Sequence, residues 1–457
     1  KGPNPLAKRQ PTTEYIGALF KGTLSVIEAP TPERLAEWTP KAYSCSPLRA
    51  DAGATQARPE GNPVPAKIGD KSPIRHCVYI IKENRTYDQV FGDMVPGNGD
   101  KSLCLFPEKI TPNHHALARE YVQLDNFYVD GEVSADGHEW SMGAYATDFV
   151  EKVWPLGYRG SPLKKFGFYP AEGTKDPVAR PAGGYIWDRA AEAGVSYRSY
   201  GEWIADSAPG KPAKARVKAL EGHFDPFFPS YNLNVTDVRR AGRFLEELAG
   251  FEKSGDFPQL TILRLPNDHT AGTSPGKPTP TAMVADNDLA LGRIVEAVSR
   301  SKFWADTAIF VLEDDAQNGP DHVDAHRTIA FVISPYVKRR AVDSTLYSTS
   351  SMLRSMDRAK DPGVDPLRPI ALRGFSWIVN PFETGGVVIA LEMSLGAAVA
   401  LVTDGPAAAI GLTDRGRIEP GRRADLVLVD DDHPWPLVRA VTTAAGCYGR
   451  LDDRSIA

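Results

Sequence analysis

The sequence is poor in cysteine and has no long apolar run. Its 457 residues include 4 cysteines, whose irregular spacing excludes a zinc ribbon and a CxxC redox pair, so we expect buried thiols. A membrane-spanning helix needs about 18 or more consecutive apolar residues. The most apolar segment, residues 386–402, contains Glu392. The sequence therefore predicts no transmembrane segment.

Strong charge of either sign is also missing. The formal net charge is -5, and no basic run is interleaved with aromatic residues. Such a chain lacks the electrostatic footprint of a nucleic-acid-binding protein. The length allows one large α/β domain with additions and a sizeable core.

Three apolar segments, far apart in the chain, each end in a polar cluster. Residues 76–81, 260–265 and 308–312 have the length and composition of strands buried on both faces. Candidate helices between them, notably residues 281–300, indicate alternating α/β order and a mostly parallel sheet. Parallel strands present their carboxyl ends at one edge, where α/β proteins bind ligands. We therefore expect these clusters to meet: Glu83 and Asn84; Asn267, Asp268 and His269; Asp314 and Asp315.

Each cluster has two interpretations on its residues alone. Carboxylate and amide oxygens are the ligands preferred by hard cations such as Mg, Mn or Ca. Adjacent acids such as Asp314 and Asp315 repel one another unless a cation or a protein partner neutralises them. The alternative is a set of solvated polar turns.

Ser134 lies in a turn-like segment, GEVSADGH, before a helix expected near Trp140. A serine close to a helix start is either an N-cap or a nucleophile, the latter when a metal ion ionises its hydroxyl. Helix N–H groups would then hold a phosphate. Both roles stay open at this point.

Several long motifs occur in order over about residues 70–356: KENRTYDQVFGD, TPNHHALAREYVQLDNFYVDGEVSADGHEWS, LPNDHTAG with ADNDLALGRIV, and DDAQNGPDHVDAHR with FVISPYVKR. Together they resemble the phosphoesterase family, which contains acid phosphatases and nonspecific phospholipases C within the alkaline-phosphatase-like superfamily. The branch found downstream of YVTN-type β-propellers is the most similar. The segment IGALFKGTLSVIEAPTP resembles the last piece of such a propeller.

The resemblance implies an α/β/α sandwich with a mostly parallel central sheet and a metal-dependent hydrolase of phosphoric esters. Ser134 would be the nucleophile and form a phosphoserine intermediate. One divalent ion, Mg, Mn, Ca or Zn, would be bound, and a second is allowed. The implied metal ligands are Glu83, Asn84, Asp314 and Asp315.

The resemblance also implies roles for several imidazoles. His269 and His322 would act in catalysis, with Asp321 as a near neighbour. The implied substrate is a small phosphate ester or a phospholipid head group, and the implied location is secreted or periplasmic. The residues expected to line the substrate site are His114, His115, His138, Asp268 and His326.

The C-terminal segment has a different resemblance. AAAIGLTDRGRIEPGRRADLVLVDDDHPWPLVRAV is similar to the C-terminal strands of amidohydrolases, most nearly one of phosphonate metabolism. The HxH metal motif of that family is missing, so we expect no such chemistry. We therefore predict an extended lead-in over residues 1–70, a catalytic domain over 71–356, a junction over 357–385 and a small appendage over 386–457. A rearranged gene is our hypothesis for this order.

A noncatalytic role is the competing interpretation. The foreign tail, and the ADGH sequence that replaces the usual Pro-Asn pattern after the nucleophile, would also suit an inactive phosphoesterase fold kept as a scaffold or binding module.

Overall fold

The computed structural model describes residues 31–45, 62–64, 72–158, 169–175, 177–206, 211–316, 319–359, 426–430, 437–443 and 446–450. Two compact units divide between Arg368 and Pro369, inside the predicted junction. The sequence pattern also predicts helices over residues 387–402 and 405–411. These two segments and residues 16–30 of the propeller-like segment lie outside the described residues.

Helices and strands alternate through the first unit. The helices are α1 (Pro32–Cys45), α2 (Tyr87–Phe91), α3 (Pro112–Glu120), α4 (Ser134–Gly143), α5 (Asp148–Gly157), α6 (Ile186–Glu192), α7 (Asp237–Ser254), α8 (Pro280–Arg300) and α9 (Thr349–Ala359). The strands are β1 (His76–Lys82), β2 (Val122–Leu124), β3 (Phe127–Tyr128), β4 (Tyr197–Tyr200), β5 (Ile204–Ala205), β6 (Lys214–Ala215), β7 (Leu260–Leu265), β8 (Thr307–Glu313), β9 (Ala330–Ile333), β10 (Ala341–Asp343) and β11 (Tyr347–Ser348).

The central sheet has five strands in the order β4-β7-β1-β8-β9. The first four are parallel, and β9 runs antiparallel to β8. The mostly parallel sheet is therefore confirmed, as are the three long strands predicted as β1, β7 and β8. Because β1 lies between β7 and β8, the residues that follow these three strands are neighbours.

Both faces of the sheet are covered, which explains why β7 and β8 are buried along their whole length. On one face, Val78, Ile80, Leu263 and Ile309 share a core with residues of α7 and α8, including Phe244, Leu248, Leu291 and Ile294. On the other face, the hydroxyl of Tyr79 donates to the carbonyl of Ser141 in α4, 3.1 Å away. This is the α/β/α arrangement.

The two long helices start and stop at sequence signals. Thr236 and Thr279 cap α7 and α8 by accepting from the backbone N–H groups of Arg239 and Ala282, and Pro280 occupies the first turn of α8. Gly255 ends α7 in the left-handed conformation, with φ of 91°.

Two local predictions differ from the structure. The segment LDNFYV, residues 124–129, has the sequence pattern of one strand, but the chain here forms two, β2 and β3, which pair with β10 and β11. The helix expected near Trp140 begins earlier, at Ser134. An acid inside that segment explains the earlier start, because Asp136 accepts from the backbone N–H groups of Glu132 and Val133 and so caps the helix there.

The second unit contains a three-stranded antiparallel sheet of β12 (Leu426–Asp430), β13 (Leu437–Thr443) and β14 (Gly446–Arg450). Short strands were predicted in this tail. Among the described helices, none has both the length and the apolar character required to cross a membrane.

Candidate metal and phosphoryl-transfer site

The side chains that follow β1 and β8 meet at the carboxyl edge of the sheet. Lys82 pairs with Glu313 at the end of the ladder, and the backbone N–H of Asp314 donates to the carbonyl of Lys82 at 2.9 Å. Glu83 and Asp314 therefore follow side by side. Asn84 has a φ of 66°, a left-handed conformation that asparagine tolerates better than most residues.

Strand alternation decides which face each charged residue occupies. Counting by two from Tyr79 places Glu83, Arg264 and Asp314 on the α4 face of the sheet. Lys82 and Glu313 point to the opposite face, where their side chains form an ion pair of 2.7 Å. The strand ends thus sort their charges into two layers.

The charged residues on the face opposite α4 support those on the α4 face. Lys82 also contacts the Asp268 carboxylate at 2.8 Å, and the other oxygen of Asp268 accepts from the backbone N–H of Glu83 at 3.0 Å. Asp268, predicted to line the substrate site, therefore holds the backbone of Glu83.

Helix α4 brings Ser134 and His138 to these strand ends. The Ser134 hydroxyl donates to Oδ2 of Asp315 at 2.9 Å, and Ser134 is only half-buried. Gly137 makes this approach possible, because a Cβ at that position would lie 2.5 Å from the carbonyl oxygen of Asp314. Glycine is therefore required for α4 to pack so close to the end of β8.

Glu83, His138 and Asp314 form a candidate metal group. One ligand atom from each lies within 4.8 Å of the others, and all three side chains are buried. Within the part of the chain that the structure describes, both carboxylate oxygens of Asp314 and Oδ1 of Asp315 form no hydrogen bond. Buried carboxylates without donors are costly unless a cation satisfies them, so these residues fit a divalent ion.

The electrostatics agree with that fit. Burial and the charge of Glu83 raise the pKa of Asp314 to about 8. Burial and the charge of Asp314 raise the pKa of Asp315 well above its usual range. Burial also opposes ionisation of Glu83, but Arg264 and His138 outweigh it and lower its pKa to about 2. A bound cation would relieve the repulsion between these acids.

The residues that surround this group were not predicted from the sequence. Arg264 contacts Glu83 at 2.7 Å and Glu172 at 3.0 Å, and Glu202 lies 3.3 Å from Nδ1 of His138. One signal was present, because Arg264 is a charged residue inside the otherwise apolar run LTILRL. Glu202 comes two residues after the end of β4, so its place after a strand was a second signal, whereas Glu172 reaches the site from a loop and has no local signal.

The other predicted histidines occupy several environments. His269 is half-buried, with Nδ1 2.9 Å from the carbonyl of Thr270 and its ring 5.5 Å from that of Tyr231. The guanidinium of Arg264 lies 5.3 Å from the centre of the Tyr231 ring and contacts Glu83, so Tyr231 is close to the acidic group. His269 therefore lies near the acidic group, next to Tyr231.

His114 and His115 are buried in α3. Nδ1 of His114 lies 2.6 Å from Asp288 of α8, and Nε2 of His115 lies 2.9 Å from Asp93. These contacts join helices and loops to one another. Among the described residues, neither imidazole bonds to Ser134.

His322 and His326 follow β8. His326 bonds to Asp324 and to Glu132, two residues before Ser134. Nδ1 of His322 lies 2.7 Å from Asp88, in a second group with acidic ligands that also contains Asp321. His326 is thus placed beside the nucleophile loop, and His322 in a separate cluster.

Comparison with known proteins decides the family. The phosphoesterase family profile matches residues 95–360, more than half of the chain. The chain belongs to the phosphoesterase family. The match supports ester hydrolysis as the class of activity. The amidohydrolase family profile matches residues 358–436, in agreement with the resemblance of the tail.

Solved structures with partial similarity were also found. A Vibrio parahaemolyticus protein of the alkaline phosphatase superfamily is 17% identical, with 69% of this chain and 74% of that chain covered, at a TM-score of 0.44. The lipoteichoic acid synthase LtaP from Listeria monocytogenes is 12% identical, with 67% and 80% covered, at 0.41. Murine ectonucleotide pyrophosphatase/phosphodiesterase 5 is 17% identical, with 52% and 56% covered, at 0.33. No curated protein matches the chain.

Proposed function

We propose that the chain is a metal-dependent hydrolase of phosphoric esters with Ser134 as its nucleophile. The observation that carries this proposal is the 2.9 Å hydrogen bond from the Ser134 hydroxyl to Asp315, beside buried acids with unsatisfied oxygens. Family membership supports the same reaction class.

Glu83 and Asp314 would hold the cation, with the predicted ligands Asn84 and Asp315 beside them. When bound, the cation supplies positive charge that lowers the pKa of the serine hydroxyl and neutralises phosphoryl oxygens. The residues of the chain then have distinct tasks. Asp315 orients the oxygen of Ser134 by accepting its hydrogen bond, and Asp268 fixes the backbone of Glu83.

The proposed reaction has two balanced steps. The Ser134 oxygen forms a bond to phosphorus as its hydroxyl passes a proton to the Asp315 carboxylate, and the bond from phosphorus to the ester oxygen breaks as that oxygen takes up a proton. Water then attacks the phosphoserine and gives a proton to the group that protonated the ester oxygen, while the serine oxygen regains its proton from Asp315. A monoester substrate releases phosphate and a diester releases a phosphomonoester. His269 is proposed to donate the proton to the leaving oxygen, because it lies near the acidic group on the rim of the site.

Monoesters and diesters pass through the same steps, so both belong in the test. Wild type and Ser134→Ala are assayed on p-nitrophenyl phosphate and bis-p-nitrophenyl phosphate with added Mn²⁺ or Zn²⁺. We expect the substitution to lower kcat by about 10³-fold or more on the preferred substrate. Ser254→Ala, at the exposed end of α7, is the matched control and should retain full activity.

Two results would contradict the proposal. Activity of Ser134→Ala equal to that of wild type would remove serine from the mechanism. A wild-type protein that binds metal but hydrolyses neither ester would favour the noncatalytic scaffold.

A further inference from the structure

The end of β4 contributes a carboxylate that the proposed mechanism does not use. Glu202 follows this strand through Gly201, which has a φ of 103°. The Glu202 side chain is fully buried, and neither of its carboxylate oxygens forms a hydrogen bond within the described residues. A buried carboxylate in this state needs a charged or polar partner at close range.

That partner is the imidazole of His138. Oε2 of Glu202 lies 3.3 Å from Nδ1, while Arg264 is more distant from Glu202, with Nε 3.8 Å from Oε1. The ring of Trp203 meets the imidazole edge-on, with centroids 6.4 Å apart and planes at 81°. The orientation of His138 is thus restricted from one side by charge and from another by packing.

The opposite nitrogen points into the candidate metal group. Nε2 lies 3.5 Å from Oε1 of Glu83 and 3.4 Å from Oδ2 of Asp314. Two ligand atoms bound at about 2.1 Å to one ion are separated by about 3.0 to 3.4 Å at right or tetrahedral angles. The observed separations are close to those of ligands that share an ion.

Arg264 contacts the nitrogen of His138 that faces the candidate metal group, with Nη2 2.7 Å from Nε2. Arginine can only donate, so Nε2 accepts this hydrogen bond when the imidazole is neutral. The proton of a neutral imidazole is then on Nδ1, which faces Glu202. Because Nε2 has one lone pair, a cation bound there would replace this contact, and Arg264 would keep Glu172 as a partner, with Nη1 3.0 Å from that carboxylate.

We propose that His138 is a nitrogen ligand of the cation through Nε2, and that Glu202 is the positioning residue that holds the proton on Nδ1. This carboxylate–histidine–metal order fixes the tautomer and raises the basicity of the ligand nitrogen. One imidazole among carboxylates favours Mn²⁺ or Zn²⁺ over Ca²⁺. The inference rests on the proposed function only in requiring a bound cation.

The test detects the nitrogen directly. Purified protein containing all 457 residues is loaded with one equivalent of Mn²⁺, and electron spin-echo envelope modulation measures the ¹⁴N coupling of a coordinated imidazole. We expect the coupling in wild type, its conversion to a ¹⁵N pattern in protein grown with ¹⁵N-histidine, and its loss in His138→Gln. His223→Gln is the matched control, because His223 is exposed and stacks on Tyr197, and should retain the coupling.

Glu202→Gln separates positioning from ligation. Its ¹⁴N coupling should persist, while its dissociation constant for Mn²⁺, measured by titration calorimetry, should rise by about 10- to 100-fold. Competition should show that His138→Gln has lost the preference for Zn²⁺ over Ca²⁺. If His138 were only a structural imidazolium, the dissociation constant of Glu202→Gln and the metal preference of His138→Gln would both equal those of wild type.

The inference is overturned if wild type shows no ¹⁴N coupling, if it binds no Mn²⁺, or if the coupling survives in His138→Gln and disappears in His269→Gln. The ¹⁵N-labelled wild type keeps the test valid if His138→Gln fails to fold. Hydrolysis assays on the same samples distinguish the two proposals. Turnover without nitrogen coupling refutes this inference alone, and nitrogen coupling without turnover refutes only the proposed function.

Discussion

Two acidic groups in this protein contain similar residues but differ in whether their carboxylate oxygens accept hydrogen bonds. Glu83, His138 and Asp314 form one, and Asp88, Asp321 and His322 form the other. In the second, Arg327 donates to Asp88 at 3.0 Å and to Asp321 at 3.0 Å, and backbone N–H groups occupy other acceptor positions. In the first, both oxygens of Asp314 have no hydrogen bond within the described residues.

The difference shows that proximity of acids is a poor criterion for a metal site. Arg327 is buried, donates hydrogen bonds to both aspartates and so neutralises the second group. A bound cation would therefore add little stabilisation there. The first group retains unsatisfied oxygens despite its contact with Arg264. We therefore expect metal binding at the first group to stabilise the protein, and loss of Arg327 from the second group to destabilise it.

The largest expected effect is on the second group. Arg327→Met would leave Asp88 and Asp321 buried without their counter-charge, and should lower the free energy of unfolding by about 3–5 kcal/mol. Urea unfolding followed by circular dichroism measures it. The matched control is Arg119→Met, whose partner Glu108 is half-exposed, and which should cost at most about 1 kcal/mol. Equal losses for both variants would contradict the comparison.

Metal should stabilise the protein through the first group. Mn²⁺ at 100 times its dissociation constant is expected to raise the free energy of unfolding by about 2.7 kcal/mol. Asp315→Asn should lose both this gain and turnover while its metal-free fold persists, because the side chain follows the strand. Unfolding curves with and without Mn²⁺ measure the gain. A metal-free Asp315→Asn that is already unfolded would mean that Asp315 is structural.

The stability of the metal-free protein should also depend on pH through the first acidic group. The pKa of Asp314 is about 8 in the folded chain, against about 3.9 for an ordinary aspartate. Between these values the folded state keeps a proton that the unfolded state has lost, so stability should fall as pH rises from about 4 to about 8. One proton contributes at most about 1.4 kcal/mol per pH unit.

Other buried acids, such as Asp237 with its pKa raised by burial to about 7, share this sign. The measurement is therefore the difference between wild type and Asp314→Asn, in urea titrations at several pH values with chelator present. The variant should show the shallower decline. Identical slopes would place the titrating group elsewhere.

The smallest effect concerns His322, predicted from the sequence to act in catalysis. Its Nδ1 lies 2.7 Å from Asp88 and its Nε2 3.2 Å from Asn98, contacts that belong to the second group. We expect His322→Gln to cost about 1 kcal/mol of stability and to change kcat by less than about tenfold. Steady-state kinetics on the folded variant decides. A loss of about 10²-fold or more would restore the catalytic role.

Much of the fold was predictable because its signals are local. The apolar runs of β1, β7 and β8 and the capped helices α7 and α8 are visible in short windows of sequence. The division of residues 124–129 into two strands was not, because β2 and β3 pair with β10 and β11, which are more than 200 residues away in the chain. Asp136 as the cap of α4 was also missed.

The candidate site divides in the same way. The acids Glu83, Asp314 and Asp315 were found because each directly follows a strand, and the rule for parallel sheets predicts where strand ends meet. Glu172 was missed because it follows irregular backbone, and Glu202 was missed because the strand before it, β4, is short and polar. The role of His138 was also open to misreading, since its two nitrogens face different partners only after α4 packs on the sheet.

The sequence alone determined the long strands β1, β7 and β8, the helices α7 and α8, the acids at the ends of β1 and β8, and the family, because each depends on residues close together in the chain or on motifs in order. Tertiary structure decided which acids remain without donors, which arginine neutralises which group, and which nitrogen of His138 faces the carboxylates. All three depend on distances between segments of the chain, some of which are more than 200 residues apart. Whether a buried polar group finds a hydrogen-bond partner depends on these distances. Composition and periodicity do not contain them.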